Sequence, residues 1–334
     1  MKSNIRILTD IQIEQSPQWG EKTEYLKGVN PNNILITRMS QRMQAVLLPF
    51  LEWFQIVKQA KKYDVVITAN IKAAQLFGLY KEIFRLQSPK HIVLELMLDE
   101  EKDTFMWKAK RIFQAKAFKG VDLIFVSSTR EVESYSRRFG LPIDRVRFLP
   151  FHTDIVTPNI ADSEEDYVLC AGKTGRDYAT LTAAVKDLNM RFIIVSDKDS
   201  LNNVSIPPNV EVLYDAPYSK YIELLSHCKF VVVPLKKLVK STGQVVILEA
   251  MGLGKPVITT RTTGTVDYIE HGSNGILVPP EDPETLKMEI VKLINNNELS
   301  KTLSNKALKE VLEDYTFDKY TSRILKAAYM IAGN

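Results

Sequence analysis

Residues 241–260 read STGQVVILEAMGLGKPVITT, and this stretch decides the fold. Its centre, VVILEAM, is apolar on every side, which is typical of a helix that is buried all round. PVITT, which follows, has the composition of a buried strand. Glu249 interrupts the apolar run. Because burying an unpaired carboxylate costs on the order of several kcal/mol, this side chain must have a bonding partner.

Short apolar runs alternate with helical patterns on both sides of this stretch. Before residue 152 the runs are IRIL, NILITR, DVVITAN, HIVLEL, LIFVSS and VRFLP, and after residue 166 they are YVLCAG, RFIIVS, VEVL, FVVVPL, PVITT and GILVPP. Strands of this length that are separated by helices indicate βαβ units and parallel sheets. The sequence therefore predicts an α/β protein of two doubly wound, Rossmann-like domains that face a central ligand cleft.

The domain boundaries follow from length and from one irregular segment. A chain of 334 residues is too long for one ordinary core. The segment HTDIVTPNIADSEED has no periodicity and many turn formers, so it indicates a linker. We predict a first domain at 1–153, a linker at 154–166 and a second domain at 167–315.

Composition excludes several classes of protein. The chain has no signal-peptide pattern, and its longest apolar run is too short for a membrane span of ~20 residues. Cys170 and Cys228 lie in apolar surroundings, so we expect buried free thiols and a cytoplasmic location. The histidines are scattered, and no metal-ligand spacing occurs.

Two motif matches are weak. No GxGxxG follows an early strand, and AGKTGRD lacks the third glycine of that fingerprint, which argues against a dinucleotide site. SDKD at 196–199 contains the D-x-D pattern of some metal sites. Because it ends the strand RFIIVS, a plain loop between strand and helix is the preferred interpretation.

Charge is distributed unevenly along the chain. Residues 1–155 carry about seven more basic than acidic side chains, whereas the remainder carries about three more acidic than basic ones. Segments 40–62 and 105–120 combine apolar, aromatic and basic residues. Each is either a core helix with a solvated basic edge or a surface for an anionic bilayer. No nucleic-acid-binding module occurs, so we expect no nucleic-acid partner.

The residues around Glu249 suggest a ligand. Ser241 or Thr242 is a natural N-cap for the helix, and Gly243 would let a ligand approach the free amides of the first turn, which suit a phosphate. Glu249 lies two turns further along the same face. A carboxylate there could accept both hydroxyls of a ribose. The alternative interpretation pairs Glu249 with a nearby lysine or arginine.

Several motifs resemble one family. STGQVVILEAMGLGKPVITT followed by GTVDYIEHGSNGILVPPEDPETL is similar to the donor domain of retaining glycosyltransferases of family 4, which have the GT-B fold. AGKTGRDYATLTAAV resembles the family's phosphate-contacting turn, and VDLIFVSSTREVESYSRRFGLPIDRVRFLPFHTD its passage into the linker. Together these motifs cover most of residues 120–315. The resemblance also implies that the terminal helix, 316–334, packs back on the first domain.

The resemblance implies roles for individual residues. Glu249 would hold the ribose of a nucleotide sugar, while Lys173 and Arg176 would neutralise its pyrophosphate and stabilise the leaving group. The remaining predicted donor-binding residues are Ser241, Thr242, Gly243, Gln244, Gly172, Asp215 and Ala216. Ser241 replaces a glutamate with which the family commonly contacts the transferred sugar. On the acceptor side, Glu95 and Asp99 stand where the family often has a histidine.

The activity that the resemblance implies is transfer of a sugar from a UDP- or GDP-sugar to an acceptor hydroxyl with retention. It would need no metal or other cofactor. The expected acceptor is a glycan or lipid-linked saccharide of cell-surface polysaccharide or glycolipid synthesis, met at the inner membrane face. Two alternatives remain: a GT-B nucleotide-sugar epimerase, which would interconvert free nucleotide sugars, and a degenerate member that binds nucleotide or membrane without turnover.

Overall fold

A computed structural model describes residues 5–11, 16–28, 40–98, 103–155 and 165–333. These residues form two compact units, Met1–Leu149 with Tyr320–Asn334, and Pro150–Lys319. Each unit is built on a six-stranded parallel sheet with helices, so the predicted α/β class is confirmed. The predicted strand NILITR, residues 33–38, lies outside the described residues.

Unit 1 has the strand order β2-β1-β3-β4-β5-β6. Its strands are β1 Ile7–Thr9, β2 Thr23–Tyr25, β3 Val65–Thr68, β4 Lys90–Val93, β5 Leu123–Val126 and β6 Val146–Phe148. Its helices are α1 Pro17–Lys22, α2 Gln41–Ala60, α3 Ile71–Ile83, α4 Phe105–Lys119 and α5 Thr129–Phe139. The sequence pattern missed β2, because its three residues, TEY, form no apolar run.

Unit 2 has the strand order β12-β11-β10-β7-β8-β9. Its strands are β7 Tyr167–Ala171, β8 Arg191–Ser196, β9 Val210–Tyr214, β10 Val231–Val233, β11 Val257–Thr260 and β12 Ile276–Val278. Its helices are α6 Tyr178–Val185, α7 Tyr218–His227, α8 Gln244–Gly252, α9 Pro283–Ile294 and α10 Asn297–Asp314. A last helix, α11 Phe317–Ala332, begins in unit 2 and continues in unit 1.

Strand order fixes where a ligand can bind in unit 2. The chain winds outward in one direction from β7 to β9 and in the other from β10 to β12, so β7 and β10 are neighbours at the switch point. Val231 pairs with Leu169 there. In open parallel sheets the crevice beyond the carboxyl ends of two such strands is the usual ligand site. The loop after β7 and the segment between β10 and α8 both begin at this point.

Helix α8 is buried almost completely, as its apolar sequence predicts. Its beginning differs from the prediction. The N-cap is Gly243, with φ of 97°, and no side chain caps the helix, so neither Ser241 nor Thr242 has the expected capping role. A left-handed N-cap conformation favours glycine, because an L side chain would be strained there. The first turn of α8 therefore has no side-chain hydrogen-bond acceptor at its cap.

Both cysteines are buried and free, as predicted. None of the described helices is both long enough and apolar enough to cross a membrane.

Two helices of unit 1 expose apolar and basic side chains. Helix α3 packs against α2 on one side and α4 on the other. On α2, exposed apolar side chains recur at helical spacing, namely Met43, Val46, Phe50 and Phe54. On α4 the exposed apolar residues are Phe105, Met106, Ile112 and Phe113, interspersed with Lys108, Lys110 and Lys116. We call these residues of α2 and α4 the α2–α4 face.

A half-buried carboxylate lies at the switch point of unit 1, between β1 and β3. Asp10 follows β1 and accepts hydrogen bonds from the amides of Ala69 and Asn70, which follow β3. The Asn70 side chain donates to Glu52 of α2. Burial raises the pKa of Asp10 to about 6. Burial, and then the charge of Asp10, also raise the pKa of Glu52 to about 6.

Asp10 should make the stability of unit 1 depend on pH. Its pKa is higher in the folded unit than in the unfolded chain, so the folded unit binds this proton more tightly. The Asp10 contribution to the free energy of unfolding should therefore fall by about 2 kcal/mol as the pH rises from about 4 to about 7. Asp10→Asn should remove this contribution and leave a smaller fall, because the pKa of Glu52 is also raised, mainly by burial. The free energy of unfolding can be measured at each pH by urea unfolding. Tryptophan fluorescence reports on unit 1 in this experiment, because Trp19, Trp53 and Trp107 all belong to that unit.

The matched control is Asp144→Asn, at an exposed position of the same unit. It should keep the pH dependence of the wild type. An equal pH dependence for wild type and Asp10→Asn would contradict the prediction.

Candidate functional site

A cavity of about 280 Å³ opens in unit 2 beyond the carboxyl end of β7. Five elements contribute to it: the ends of β7, β8 and β9 with the turns that follow them, the start of α7, and one face of α8. The lining residues are Ala171, Gly172, Lys173, Val195, Ser196, Asp215, Ala216, Tyr218, Tyr221, Val245, Val246 and Glu249. Five of the predicted donor residues, Gly172, Lys173, Asp215, Ala216 and Glu249, thus lie around one cavity.

The partners of Glu249 are two tyrosine hydroxyls. Tyr218 donates to Oε1 at 2.8 Å, and Tyr221 donates to Oε2 at 2.7 Å. The alternative interpretation expected a lysine or arginine instead, but no salt bridge to Glu249 is found within the described parts of unit 2. The buried carboxylate is therefore held by two neutral donors and keeps its negative charge uncompensated.

The ionised form of Glu249 is energetically unfavourable at this buried position. Only 7% of the residue is exposed. Burial raises the pKa of its carboxyl above the ordinary value, the charge of Asp154 acts in the same direction, and the two tyrosine hydrogen bonds oppose them. Burial also raises the pKa of the Tyr221 hydroxyl, and the neighbouring charge of Glu249 adds to that shift. A ligand that donates further hydrogen bonds to this carboxylate would stabilise its ionised form.

The turn after β7 is shaped around Arg176. Gly172 has φ of 110°, and a Cβ at that position would lie 2.1 Å from the arginine Nη2. Arg176 donates from Nε to the carbonyl of Ala171 at 2.7 Å and from Nη1 to that of Thr174 at 3.0 Å. Its backbone bridges to Leu235, which follows β10. The guanidinium is thus fixed at the switch point of the sheet.

Arg176 is a buried cation without an ionic partner among the described residues. It is 6% exposed, and burial lowers the pKa of its guanidinium. Because burying an uncompensated charge is unfavourable, an anion that binds beside Arg176 would stabilise both groups. Arg176 does not itself line the cavity, but it contacts Gly172, which does.

Lys173 is placed differently from Arg176. Its Nζ forms an exposed ion pair with Asp215 at 2.8 Å, and this hydrogen bond raises the pKa of the ammonium. The pair connects the turn after β7 with the turn after β9. Exposed pairs contribute little to stability, so Lys173 can exchange Asp215 for another anion at small cost.

The start of α8 lies outside the cavity lining, although four of its residues were predicted to bind the donor. Ser241, Thr242 and Gln244 are buried, and Gly243 is half-buried. The backbone of Gly264 approaches so closely that a Cβ there would lie 2.6 Å from the amide nitrogen of Thr242. The cavity instead contacts the next turn of the helix, through Val245 and Val246.

Tyr218 and Tyr221, which bind Glu249 directly, were not predicted from the sequence. A signal was present, because DAPYSKY places two tyrosines three positions apart at the start of a helix, and residues with that spacing share a face. What the sequence could not supply was the pairing of this face with α8, thirty residues further along the chain.

On the side of unit 1, Glu95 is half-buried and accepts a hydrogen bond from Tyr320 of α11 at 2.6 Å. Burial raises the pKa of its carboxyl. Asp99, the other predicted acceptor residue, lies outside the described residues. Asp10 and Glu52 were not predicted at all, although Asp10 follows β1 directly.

The D-x-D segment forms an ordinary loop. Asp197 accepts a hydrogen bond from the amide of Ser200 at 2.9 Å, and Asp199 begins a 3₁₀ turn that ends at Leu201. Across the described ranges, no three histidine, cysteine or acidic side chains come together as a metal site would require.

Comparison with known proteins finds similarity to a family profile over part of the second unit. Residues 167–296 match the sequence profile of the family described as Glycosyl transferases group 1. An uncharacterized glycosyltransferase of Methanocaldococcus jannaschii, MJ1178, is 31% identical over 152 residues, which are 44% of this chain and 42% of the relative. The capsular polysaccharide biosynthesis glycosyltransferase CapM of Staphylococcus aureus is 27% identical over 146 residues, 42% of this chain and 36% of CapM. The chain thus matches less than half the length of these curated relatives.

Solved structures match over nearly the whole chain. Anabaena HepE in complex with UDP-glucose superposes with a TM-score of 0.70, at 15% sequence identity, over 98% of this chain and 100% of HepE. Sucrose-phosphate synthase from Thermosynechococcus elongatus superposes with a TM-score of 0.68, at 18% identity, over 96% of this chain and 85% of the synthase. Residues 167–296 therefore carry the group 1 glycosyl transferase profile, and the two sheets have the GT-B fold.

Proposed function

We propose that this chain is a retaining glycosyltransferase that moves a sugar from a nucleotide sugar to an acceptor hydroxyl. One observation carries the proposal: a cavity of unit 2 is lined by Glu249, a buried carboxylate without a cation, and by Gly172, which contacts the buried guanidinium of Arg176, itself without an anion among the described residues. A nucleoside diphosphate satisfies both, because its ribose donates hydroxyls and its diphosphate carries negative charge.

The ribose fits Glu249. The carboxylate has two oxygens, and each of them accepts one hydrogen bond from a tyrosine hydroxyl. Vicinal ribose hydroxyls can donate to the two oxygens together, which is the arrangement that the sequence pattern predicts. The apolar walls formed by Val195, Val245 and Val246 suit the faces of a nucleobase and ribose.

The diphosphate fits the turn after β7. Arg176 supplies a fixed buried positive charge, and Lys173 a mobile exposed one. The start of α8 lies outside the cavity lining, and we propose that the positive end of its dipole acts on the diphosphate from there. These groups would stabilise the charge that develops on the leaving diphosphate, which is the largest electrostatic demand of the reaction. We propose that they do so without a metal ion.

The relatives support a UDP-linked donor and a glycan acceptor. HepE was crystallised with UDP-glucose, and CapM belongs to capsular polysaccharide biosynthesis. We propose that the chain uses a UDP-sugar, with a GDP-sugar as the second choice, in the synthesis of a surface polysaccharide or glycolipid. Glu95 and Asp99 are proposed to face the acceptor.

The α2–α4 face suggests where the reaction takes place. Apolar side chains of α2 and α4 are exposed beside lysines, which is the composition of a surface that rests on an anionic bilayer. We propose that unit 1 associates reversibly with the cytoplasmic membrane face and receives a lipid-linked acceptor there.

Loss of the Glu249 charge should weaken nucleotide binding. Glu249→Gln keeps the size of the side chain but replaces a charge-assisted acceptor, and such hydrogen bonds contribute ~1.5–3 kcal/mol each. UDP affinity should fall roughly tenfold or more. A thermal-shift series with UDP, GDP and ADP identifies the nucleobase that the protein prefers. Calorimetric titration with that nucleotide then measures the affinity.

The matched control is Glu223→Gln, an exposed carboxylate of α7 that pairs with Lys220. It should bind nucleotide as wild type does. If Glu249→Gln folds and also binds as tightly as wild type, Glu249 is not the ribose ligand.

Turnover should continue in excess chelator, because fixed cations replace the metal. Removing one electrostatic group of this kind typically reduces turnover by ~10²–10³. Lys173→Met and Arg176→Met should each show such a loss, and Arg176→Lys tests the buried position without removing its charge. Asp197→Ala should have little effect. Activity that EDTA abolishes and magnesium or manganese restores, together with an inactive Asp197→Ala, would refute the mechanism.

Membrane association should require anionic lipid. A basic residue near an anionic leaflet contributes about 1 kcal/mol, so the triple change of Lys108, Lys110 and Lys116 to Gln should release the protein from such vesicles. Raised salt should weaken sedimentation with them. The control changes Lys292, Lys301 and Lys309, exposed residues of unit 2, to Gln and should leave binding intact. Equal binding to neutral vesicles would exclude an electrostatic contact.

A further inference from the structure

The two tyrosines that bind Glu249 differ sharply in their surroundings. Tyr221 is 8% exposed and belongs to the core of unit 2, whereas Tyr218 is 63% exposed. Tyr218 is also the first residue of α7, whose N-cap, Pro217, offers no side-chain cap. The Tyr221 hydroxyl is therefore fixed, while the Tyr218 side chain can leave Glu249 without opening the core.

We infer that Tyr218 holds the position of a ribose hydroxyl in the nucleotide-free protein and releases it when the nucleotide binds. Both carboxylate oxygens carry a tyrosine hydrogen bond, one from each ring. Tyr218, Tyr221 and Glu249 all line the same cavity, so a ribose that reaches Glu249 meets the Tyr218 hydroxyl there. This inference rests on the proposed nucleotide-binding function and deepens it.

Tyr221 acts as a positioning residue in this arrangement. Its hydroxyl, on a buried ring, keeps Oε2 at 2.7 Å and so orients the carboxylate plane. Tyr218 satisfies the other oxygen, so the buried charge is never left with a single donor before the ligand arrives. The cost of this protection is competition, because the protein's own hydroxyl must be displaced before the ribose can bind.

The competition predicts the direction in which each tyrosine variant changes the nucleotide affinity. Tyr218→Phe removes the competing hydroxyl but keeps the exposed ring, so the affinity for UDP should rise about three- to tenfold. For 2′,3′-dideoxy-UDP, which has no hydroxyls to place on Glu249, the affinity should change less than twofold. Tyr221→Phe should have the opposite effect and lower the affinity for UDP. The ratio of the affinity for UDP to that for the dideoxy compound should become smaller.

The experiment is calorimetric titration of wild type, Tyr218→Phe and Tyr221→Phe with UDP and with 2′,3′-dideoxy-UDP, or with the GDP pair if the thermal-shift series selects guanine. Tyr214→Phe is the matched control. This tyrosine of β9 is exposed, lies outside the cavity lining and should bind both compounds as wild type does.

Each outcome decides a separate claim. A Tyr218→Phe affinity for UDP that is unchanged or lower, or one that rises equally for both compounds, overturns the inference. The proposed function survives that result as long as Glu249→Gln still weakens UDP binding. Failure of the wild type to bind any of these nucleotides overturns the function and the inference together.

Discussion

The hydrogen bonds between Glu249 and the two tyrosines are the interaction on which the second unit depends. Helix α8 can be buried on every side only if its single carboxylate has donors. Those donors come from α7, which follows β9 at the opposite end of the sheet from β11 and β12. The pairing therefore brings α7 and α8 to one cavity. A buried carboxylate needs hydrogen-bond donors. For the same reason it can accept hydrogen bonds from the hydroxyls of a ligand.

The same unit contains the opposite arrangement for positive charge. Arg176 is buried, is held by two backbone carbonyls and has no salt bridge within the described ranges. Carbonyl groups orient the guanidinium but do not neutralise it. An uncompensated negative charge and an uncompensated positive charge, held apart within one unit, lower the stability of the fold. Their separation is favourable for binding a molecule that carries hydroxyls at one end and phosphates at the other.

Most strands of the fold and part of the candidate site could be predicted from the sequence, for clear physical reasons. Eleven of the apolar runs proved to be strands because parallel sheets bury both faces, which leaves a continuous apolar signature. Glu249 was singled out because a carboxylate interrupts an apolar helix, and the family resemblance pointed to Gly172 and Lys173; all three line the cavity. The resemblance to a known family supplied the roles of these residues.

The rest could not be predicted, because it depends on contacts between distant segments. The Tyr218 and Tyr221 hydroxyls reach Glu249 only because the fold brings the start of α7 beside α8, which no local pattern encodes. The cap of α8 was predicted wrongly because Ser241 and Thr242 are good N-cap residue types, whereas Gly243 alone tolerates the left-handed backbone found there. Asp10 was missed because a single aspartate after a short strand is common, and its burial becomes evident only when β3 lies beside β1.

A crystal structure of the protein with its nucleoside diphosphate tests the central claim most directly. We expect both ribose hydroxyls within hydrogen-bond distance of the Glu249 carboxylate, the diphosphate beside the turn that holds Arg176, and the Tyr218 hydroxyl displaced while Tyr221 keeps its place. A nucleotide bound elsewhere, or bound here with its ribose away from Glu249, would contradict the account.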